Sequence, residues 1–269
     1  MAITLTYPDG GILVTGGTGT VGTGVVRALA DAGVPLLFTY HSDRERADAL
    51  VREWADKGAR IAATQLDMRD EAAVRATVAL AERTLGGLHG VAHAGGPLVR
   101  FDTMADLSPD IAARFFDADA MGILRLFQAA IPLLRERGGG SLLTCTTMAT
   151  QKYIAYDGLS PFSKGAVDAL VRYVAAEEIR HNIRCNAVGI GWVTDRAMED
   201  IARDNPQVPA EILTERDRLT AIYHQVMTGL RAPRPVDPLE AGMTYAFLAS
   251  DQARHLNGQF LYLDGGILL

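Results

Sequence analysis

The chain has 269 residues, and 26 Lys plus Arg against 32 Asp plus Glu leaves a formal charge of −6. That balance offers no basic footprint and argues against nucleic acid or an anionic membrane as the main partner. A hydrophobic share of 48% with 22% charged residues builds a core and is too apolar for a disordered chain. No run approaches the roughly 18 consecutive apolar residues of a spanning helix. Met1 to Gly10 lacks a basic region followed by an apolar stretch, so no secretory signal is read and a cytoplasmic globular protein is expected. Cys145 and Cys185 lie in apolar runs and read as small buried hydrophobes; two cysteines alone make neither a disulfide framework nor a metal site.

Short apolar runs alternate with helical patterns. Gly11–Thr15 is a continuous strand closed by glycines, and Val21–Ala32 follows as a helix with Gly33 ending it. Next come strand Leu36–Tyr40, helix Asp43–Lys57, strand Arg60–Leu66, helix Asp70–Leu85 and strand Leu88–His93. A long helix is expected over Pro109–Arg137, stopped by Gly138-Gly139-Gly140. Strand Ser141–Thr146, helix Pro161–Arg180 and strand Ile183–Val188 continue the rhythm, and helix Pro238–Ala249 and strand Phe260–Leu263 close it. Such βαβ units with right-handed crossovers give an α/β fold: one doubly wound Rossmann domain spanning 1–269, with about seven parallel strands and helices on both faces. Ligands on such sheets bind at the carboxyl ends of the strands, near the switch in strand order. The proline-punctuated stretch 194–235, with a helical piece around Ala210–Leu230, follows a strand's carboxyl end. It reads as a substrate lid; a packing or oligomer-forming arm is the other reading.

Thr15-Gly16-Gly17-Thr18-Gly19-Thr20-Val21-Gly22 joins the first strand to the first helix. Glycines there allow a tight turn and close approach to a pyrophosphate, with unpaired helix N–H groups facing it. A ligand-free βα turn is the bland alternative. At the end of the second strand His41, Ser42 and Arg44 suit a 2′-phosphate while Asp43 counts against one, so NADP(H) is favoured over NAD(H). Asp67 can accept from the adenine amino group or cap the following helix.

The glycine loop, Leu66-Asp67, Ala92-His93-Ala94-Gly95, Lys164, Asn186-Ala187-Val188 and Asp264-Gly265-Gly266 fall in one order and spacing. Together they resemble the short-chain dehydrogenase/reductase family over essentially the whole chain. The resemblance implies a nicotinamide cofactor, a small-molecule substrate and a homodimer or homotetramer built partly from the long helices. Carried onto this sequence, the cofactor contacts are Gly16, Thr18, Gly19, Thr20, Val21, Gly22, His41, Ser42, Arg44, Asp67, Met68, Ala94, Gly95, Lys164, Gly191, Val193 and Asp195. Asp195 sits where the family often has a Thr touching the nicotinamide amide, and Thr194 beside it suits the same task.

The departures concern the chemistry. The family usually has a further glycine where Thr20 stands, and a second Asn where His93 stands. Its catalytic Asn, Ser, Tyr and Lys correspond here to Asp119, Thr147, Ser160 and Lys164, so only the lysine is kept. A serine hydroxyl is a far weaker acid than the family's phenol, so Ser160 serves better as a hydrogen-bond donor than as the proton-transfer group. Tyr153 and Tyr156, in the loop before Lys164, are candidate replacements or ordinary loop packing. Asp119 is a candidate acid if burial holds its proton; an ion pair with Lys164 is the alternative. His93 suits proton relay, or simply satisfies backbone groups. Trp192 lines a substrate pocket or packs in the core. Two functions follow. One is an NADP(H)-dependent reductase of a carbonyl or an activated alkene, the alkene being favoured because family members that reduce dienoyl thioesters also lack the Tyr. The other is a nucleotide-binding protein without hydride chemistry: a cofactor sensor, an inactive partner, or a lyase or isomerase.

Overall fold

The computed structural model describes residues 4–194, 215–232 and 234–269. In chain order the elements are β1 Gly11–Thr15, α1 Thr20–Asp31, β2 Leu36–Tyr40, α2 Arg44–Ala55, β3 Ile61–Gln65, α3 Glu71–Leu85, β4 Leu88–His93, α4 Pro109–Ala118, α5 Ala120–Glu136, β5 Gly140–Thr147, α6 Leu159–Glu178, β6 Ile183–Ile190, α7 Glu215–Gly229, α8 Pro238–Ala249 and β7 Phe260–Leu263. The strands form one seven-stranded sheet in the order β3-β2-β1-β4-β5-β6-β7, and every pairing is parallel. The order reverses between β1 and β4, which makes their carboxyl ends the switch point of the doubly wound Rossmann fold.

Parallel strands covered on both faces need apolar residues on both, and β1, β2 and β4 are buried along their whole length. Successive side chains alternate between the faces: Leu13 joins a core with α3, α5 and α6, while Ile12 and Val14 join one with α1, α2 and α8. A third, smaller cluster lies apart from these cores, where Met148, Ile154, Ile222, Val226 and Ile267 meet. Both cysteines are buried and free, as their sequence context implies. Among the described residues, no helix is long and apolar enough to cross a membrane.

The helix expected over 109–137 is two helices. Asp119 stands between α4 and α5 with φ −95° and ψ −85°, outside the helical region. Its N–H still bonds to the Phe115 carbonyl and its carbonyl still accepts from Ile123, both at 2.9 Å, so the chain bends without losing those links. The bend accompanies the reach of its side chain across to α6. Strands β5 and β6 run further toward their carboxyl ends than expected, and β5 thereby carries Thr147. Of the expected helix at 210–230, the described part is α7 from Glu215. Of the stretch 194–235 read as a lid, 195–214 and 233 lie outside the described residues.

Helix α8 is tied to the switch point by one long reach. The fully buried Tyr245 donates its hydroxyl to the His93 carbonyl at 2.9 Å. Tyr245→Phe removes that bond with little change of shape, and its expected cost is ~1–2 kcal/mol in denaturant unfolding.

Candidate active site

The loop after β1 is built for close approach. Gly16 adopts φ +78°, and a Cβ there would stand 2.6 Å from Gly95 Cα, so the loops leaving β1 and β4 touch. A Cβ on Gly22 would lie 1.9 Å from the Gly16 carbonyl oxygen, so the first turn of α1 packs directly on the loop. Gly19 caps α1 without a side-chain hydrogen bond, and no acidic residue stands in the first turn. Helices α2, α3 and α8, by contrast, are capped by Asp43, Asp70 and Asp237. Gly19 donates its own N–H to the Gly16 carbonyl at 3.0 Å, which closes the turn, so the start of α1 offers the N–H groups of Thr18, Thr20 and Val21 and a positive dipole end to an anion.

Beside this loop opens a cavity of about 700 Å³. Gly16, His41, Ser42, Asp67, Met68, His93 and Gly95 are among its walls. Asp43, the residue that counted against a phosphate, spends its carboxylate on the Arg46 N–H at 3.0 Å. Arg44 is not a wall; its guanidinium lies 3.8 Å from Asp48 on the surface. Asp67 does not cap α3, which Asp70 does; it is gripped instead by Arg69 through contacts of 2.6–3.1 Å. Those hydrogen bonds hold the Asp67 carboxyl down at about 2. Arg69, Arg100 and Arg114 also line the cavity, and the sequence reading missed all three. Arg69 follows Asp67 by two positions and was detectable as a basic residue at a strand end; the other two carry no motif.

Behind the cavity lies a buried polar cluster. Lys164, 7% exposed, places Nζ 2.6 Å from Oδ1 of Asp119, which is 0% exposed. Ser163 donates to the other Asp119 oxygen at 2.8 Å, so each oxygen of the carboxylate accepts a hydrogen bond from α6. Lys164 Nζ also lies 3.6 Å from Cys145 Sγ, which donates to the Gly95 carbonyl at 3.1 Å. Burial works against the ammonium, but the Asp119 carboxylate in contact with it holds the Lys164 pKa above its ordinary value.

His93 is 2% exposed, with Nδ1 2.8 Å from the Thr15 hydroxyl and Nε2 buried without a hydrogen-bond partner among the described residues. Burial, and then the Lys164 charge, push its pKa down to about 4. The proton-relay reading depended on a pKa near the ordinary 6.5 and is corrected: the ring stays neutral at ordinary pH.

The remaining candidates gather less closely. Ser160 is buried in the first turn of α6, and its hydroxyl has no hydrogen-bond partner among the described residues. Thr147 accepts from the Ala149 N–H at 3.2 Å, which leaves its own proton to donate. Tyr153 is 80% exposed on the surface. Tyr156 takes φ +61°, its carbonyl accepts from the Asp102 N–H at 2.9 Å, and its ring packs against the third cluster with Trp192. Trp192 stacks edge-on with Tyr223 of α7, ring centroids 5.5 Å apart. Gln225 of α7 accepts from the Ala155 N–H and donates to the Tyr153 carbonyl, so α7 is fastened to the loop that carries both tyrosines. Gly191 donates to the Leu263 carbonyl at 3.0 Å, and Val193 pairs with Val236 beside Thr194. Asp195 lies outside the described residues. Among those residues no group of three or more His, Cys, Asp or Glu is placed to hold a metal ion.

The residues present fit a dinucleotide: an uncapped helix start behind a glycine turn, and a cavity bordered by His93, whose buried Nε2 lacks a partner. Two outcomes test the buried cluster. Asp119→Ala strands the Lys164 charge and is expected to cost ~3–5 kcal/mol of stability, with the double variant Asp119→Ala/Lys164→Met losing less in the same denaturant titration. Asp157, unremarked in the sequence, has a buried Oδ1 without a partner among the described residues, and burial pushes its carboxyl up to about 7 from an ordinary 3.8. A pKa raised on folding means stability that is full below the unfolded value and is lost as pH rises through the folded one. Asp157→Asn is therefore expected to raise Tm relative to the parent at pH 8, with the gain absent at pH 4, as read by thermal melts.

A family model described as "Enoyl-(Acyl carrier protein) reductase" matches residues 17–268. Oxidoreductase UcpA of Salmonella typhimurium is 31% identical over 260 residues, covering 96% of this chain and 94% of the relative. The 7alpha-hydroxysteroid dehydrogenase of Bacteroides fragilis is 25% identical over 96% of this chain and 94% of its own length. In fold, the chain is similar to L-sorbose reductase from Gluconobacter frateurii, solved with NADPH and L-sorbose, with a TM-score of 0.84 at 19% identity over 99% of each chain. With the family model spanning nearly the whole chain and the doubly wound sheet on which its motifs fall, the chain belongs to the short-chain dehydrogenase/reductase family of oxidoreductases.

Proposed function

We propose that this protein is an NADPH-dependent reductase of a small molecule carrying an activated C=C bond, an enone or an enoyl ester. The observation that carries the reading is the state of the catalytic quartet: Lys164 is kept and buried, but Asp119 is committed to it and Ser160 stands where a phenol would be. When bound, the reduced nicotinamide supplies a hydride. Thr18 to Gly22 would hold the pyrophosphate, and His41 with Ser42 a 2′-phosphate; the use of Asp43 as a helix cap removes the main objection to NADP(H).

Reduction of a ketone leaves an alkoxide that demands a proton at that same atom, and a serine hydroxyl is a poor acid for it. Addition of hydride to the β-carbon of an enone leaves an enolate instead. Its oxygen needs only hydrogen bonds, which Ser160 and Thr147 can donate, with Lys164 supplying positive charge nearby. The α-carbon then takes its proton from water. The description of the matching family model supports an enoyl substrate. A carbonyl substrate is the second reading, favoured by Tyr156, a half-buried phenol in the loop before Lys164. A homodimer or homotetramer in the cytoplasm belongs to the same proposal, and the exposed Phe162 and Tyr173 on α6 suit such an interface.

Fluorescence titration with NADPH and NADH, followed by NADPH-oxidation assays with ketones, enones and enoyl thioesters, tests this. NADPH is expected to bind at least ~10-fold more tightly than NADH, one charge-assisted contact's worth, with turnover of the enone or enoyl class. Turnover of ketones alone overturns the C=C assignment. Tight binding without turnover of any class favours nucleotide binding without hydride chemistry.

A further inference from the structure

We propose that the substrate carries an anionic group, a carboxylate or a phosphate ester, which Arg114 of α4 receives at the wall of the cavity, with Arg100 adding positive charge from the loop after β4. The inference rests on the reading of that cavity as the site of an NADPH-dependent reductase. It adds to that reading the chemical class of the substrate's distal end.

Three observations converge. The first is a set of walls that the dinucleotide reading leaves unused. Gly16, His41, Ser42 and Asp67 border the cavity as expected cofactor contacts. Leu98, Ile111, Phe115 and Leu159 border it too, together with Arg100 and Arg114, and none of these belongs to that set. The second is the pattern on α4. Ile111, Arg114, Phe115 and Ala118 are spaced three, four and seven positions from the first, so they share one face of the helix and all line the cavity. Apolar side chains thus flank a guanidinium, which suits a molecule with an apolar body and a charged end. Leu159, 2% exposed, directly precedes Ser160, so the same space reaches the neighbour of the proposed enolate donor. The third is charge. The chain carries −6, yet the described walls hold three guanidinium groups against the single carboxylate of Asp67.

That surplus is not spent inside the protein. Arg69 takes the Asp67 carboxylate, and Arg125 of α5 takes Asp117 at the other end of α4 with a 2.6 Å contact. The Arg114 side chain has no ion-pair or hydrogen-bond partner among the described residues, and the residue is exposed, so it can meet a group arriving from solvent. A cleft walled by one sign of charge draws in the opposite sign. A guanidinium then offers paired N–H donors in the geometry of a carboxylate or phosphate. The competing anion is the cofactor's own 2′-phosphate, which is read at His41 and Ser42, and the experiment separates the two.

The test follows NADPH oxidation by the parent, Arg114→Gln and Arg114→Lys with three probes: an alkyl vinyl ketone whose arm ends in a carboxylate, its methyl ester, and crotonyl coenzyme A. Thermal melts establish that each variant is folded. Arg114→Gln is expected to raise KM for the acid or the thioester ~10-fold relative to KM for the ester, and Arg114→Lys to raise it less. Loss confined to the acid points to a carboxylate; loss confined to the thioester points to a phosphate. Isothermal titration of the saturated keto acid and of coenzyme A into the NADP⁺-loaded protein reads the same contact without turnover. If a folded Arg114→Gln keeps the parent's ratios of KM, the inference is overturned. If fluorescence titration shows that the variant has instead lost affinity for NADPH, the arginine belongs to the cofactor and the inference is overturned too. If the parent oxidises NADPH with none of the three probes, the functional reading fails and this inference fails with it.

Discussion

Lys164 carries its charge where water barely reaches, and an ammonium in such a place needs a counter-charge within contact distance. Asp119 supplies it from the bend between α4 and α5, and Ser163 closes the second oxygen of the same carboxylate. Much of the site's geometry follows from that demand. The two helices meet at the aspartate, α6 is drawn against α5, and the lysine is held behind the Gly95 carbonyl. The pairing also ties the one carboxylate of the cluster to α6 through both of its oxygens. What remains near Lys164 is a set of hydroxyls and a neutral imidazole, groups that hold an oxygen better than they protonate one.

The two halves of the site have different origins in the fold. The dinucleotide half is backbone: a glycine turn, a helix start left without a cap, and two loops in contact at the switch point. Such features depend on where glycines fall, so a sequence displays them openly. The proposed catalytic half is side chains converging from β4, β5, the bend between α4 and α5, and α6, and its properties arise only when those elements pack.

This difference accounts for what could be read in advance. The bounds of β1, β2, β4, β7 and α8 match the apolar runs residue for residue, because buried strands and a capped helix announce themselves in composition and punctuation. The parallel sheet, the loop and the position of Lys164 follow from the same pattern. The bend at Asp119 was hidden, since its neighbours keep an unbroken helical rhythm and the cause lies 45 positions further on, at Lys164. The lowering of the His93 pKa was equally hidden, because burial and a nearby ammonium are facts of packing. Arg100 and Arg114 reaching the cavity belong to that class too, whereas Arg69 stands close enough to Asp67 in the chain to be noticed.

The apolar cluster of Met148, Ile154, Ile222, Val226 and Ile267 stands apart from the two cores that sandwich the sheet. Its members come from the loop after β5, from α7 and from the chain end, not from the strands themselves. None of the five stands in a strand, so a change of bulk among them falls first on these connecting segments, with β7 touching the cluster only through Tyr262. Selection can therefore remodel this edge quickly while the sheet and its glycine turn drift slowly, and lineages that share the scaffold are expected to diverge here first.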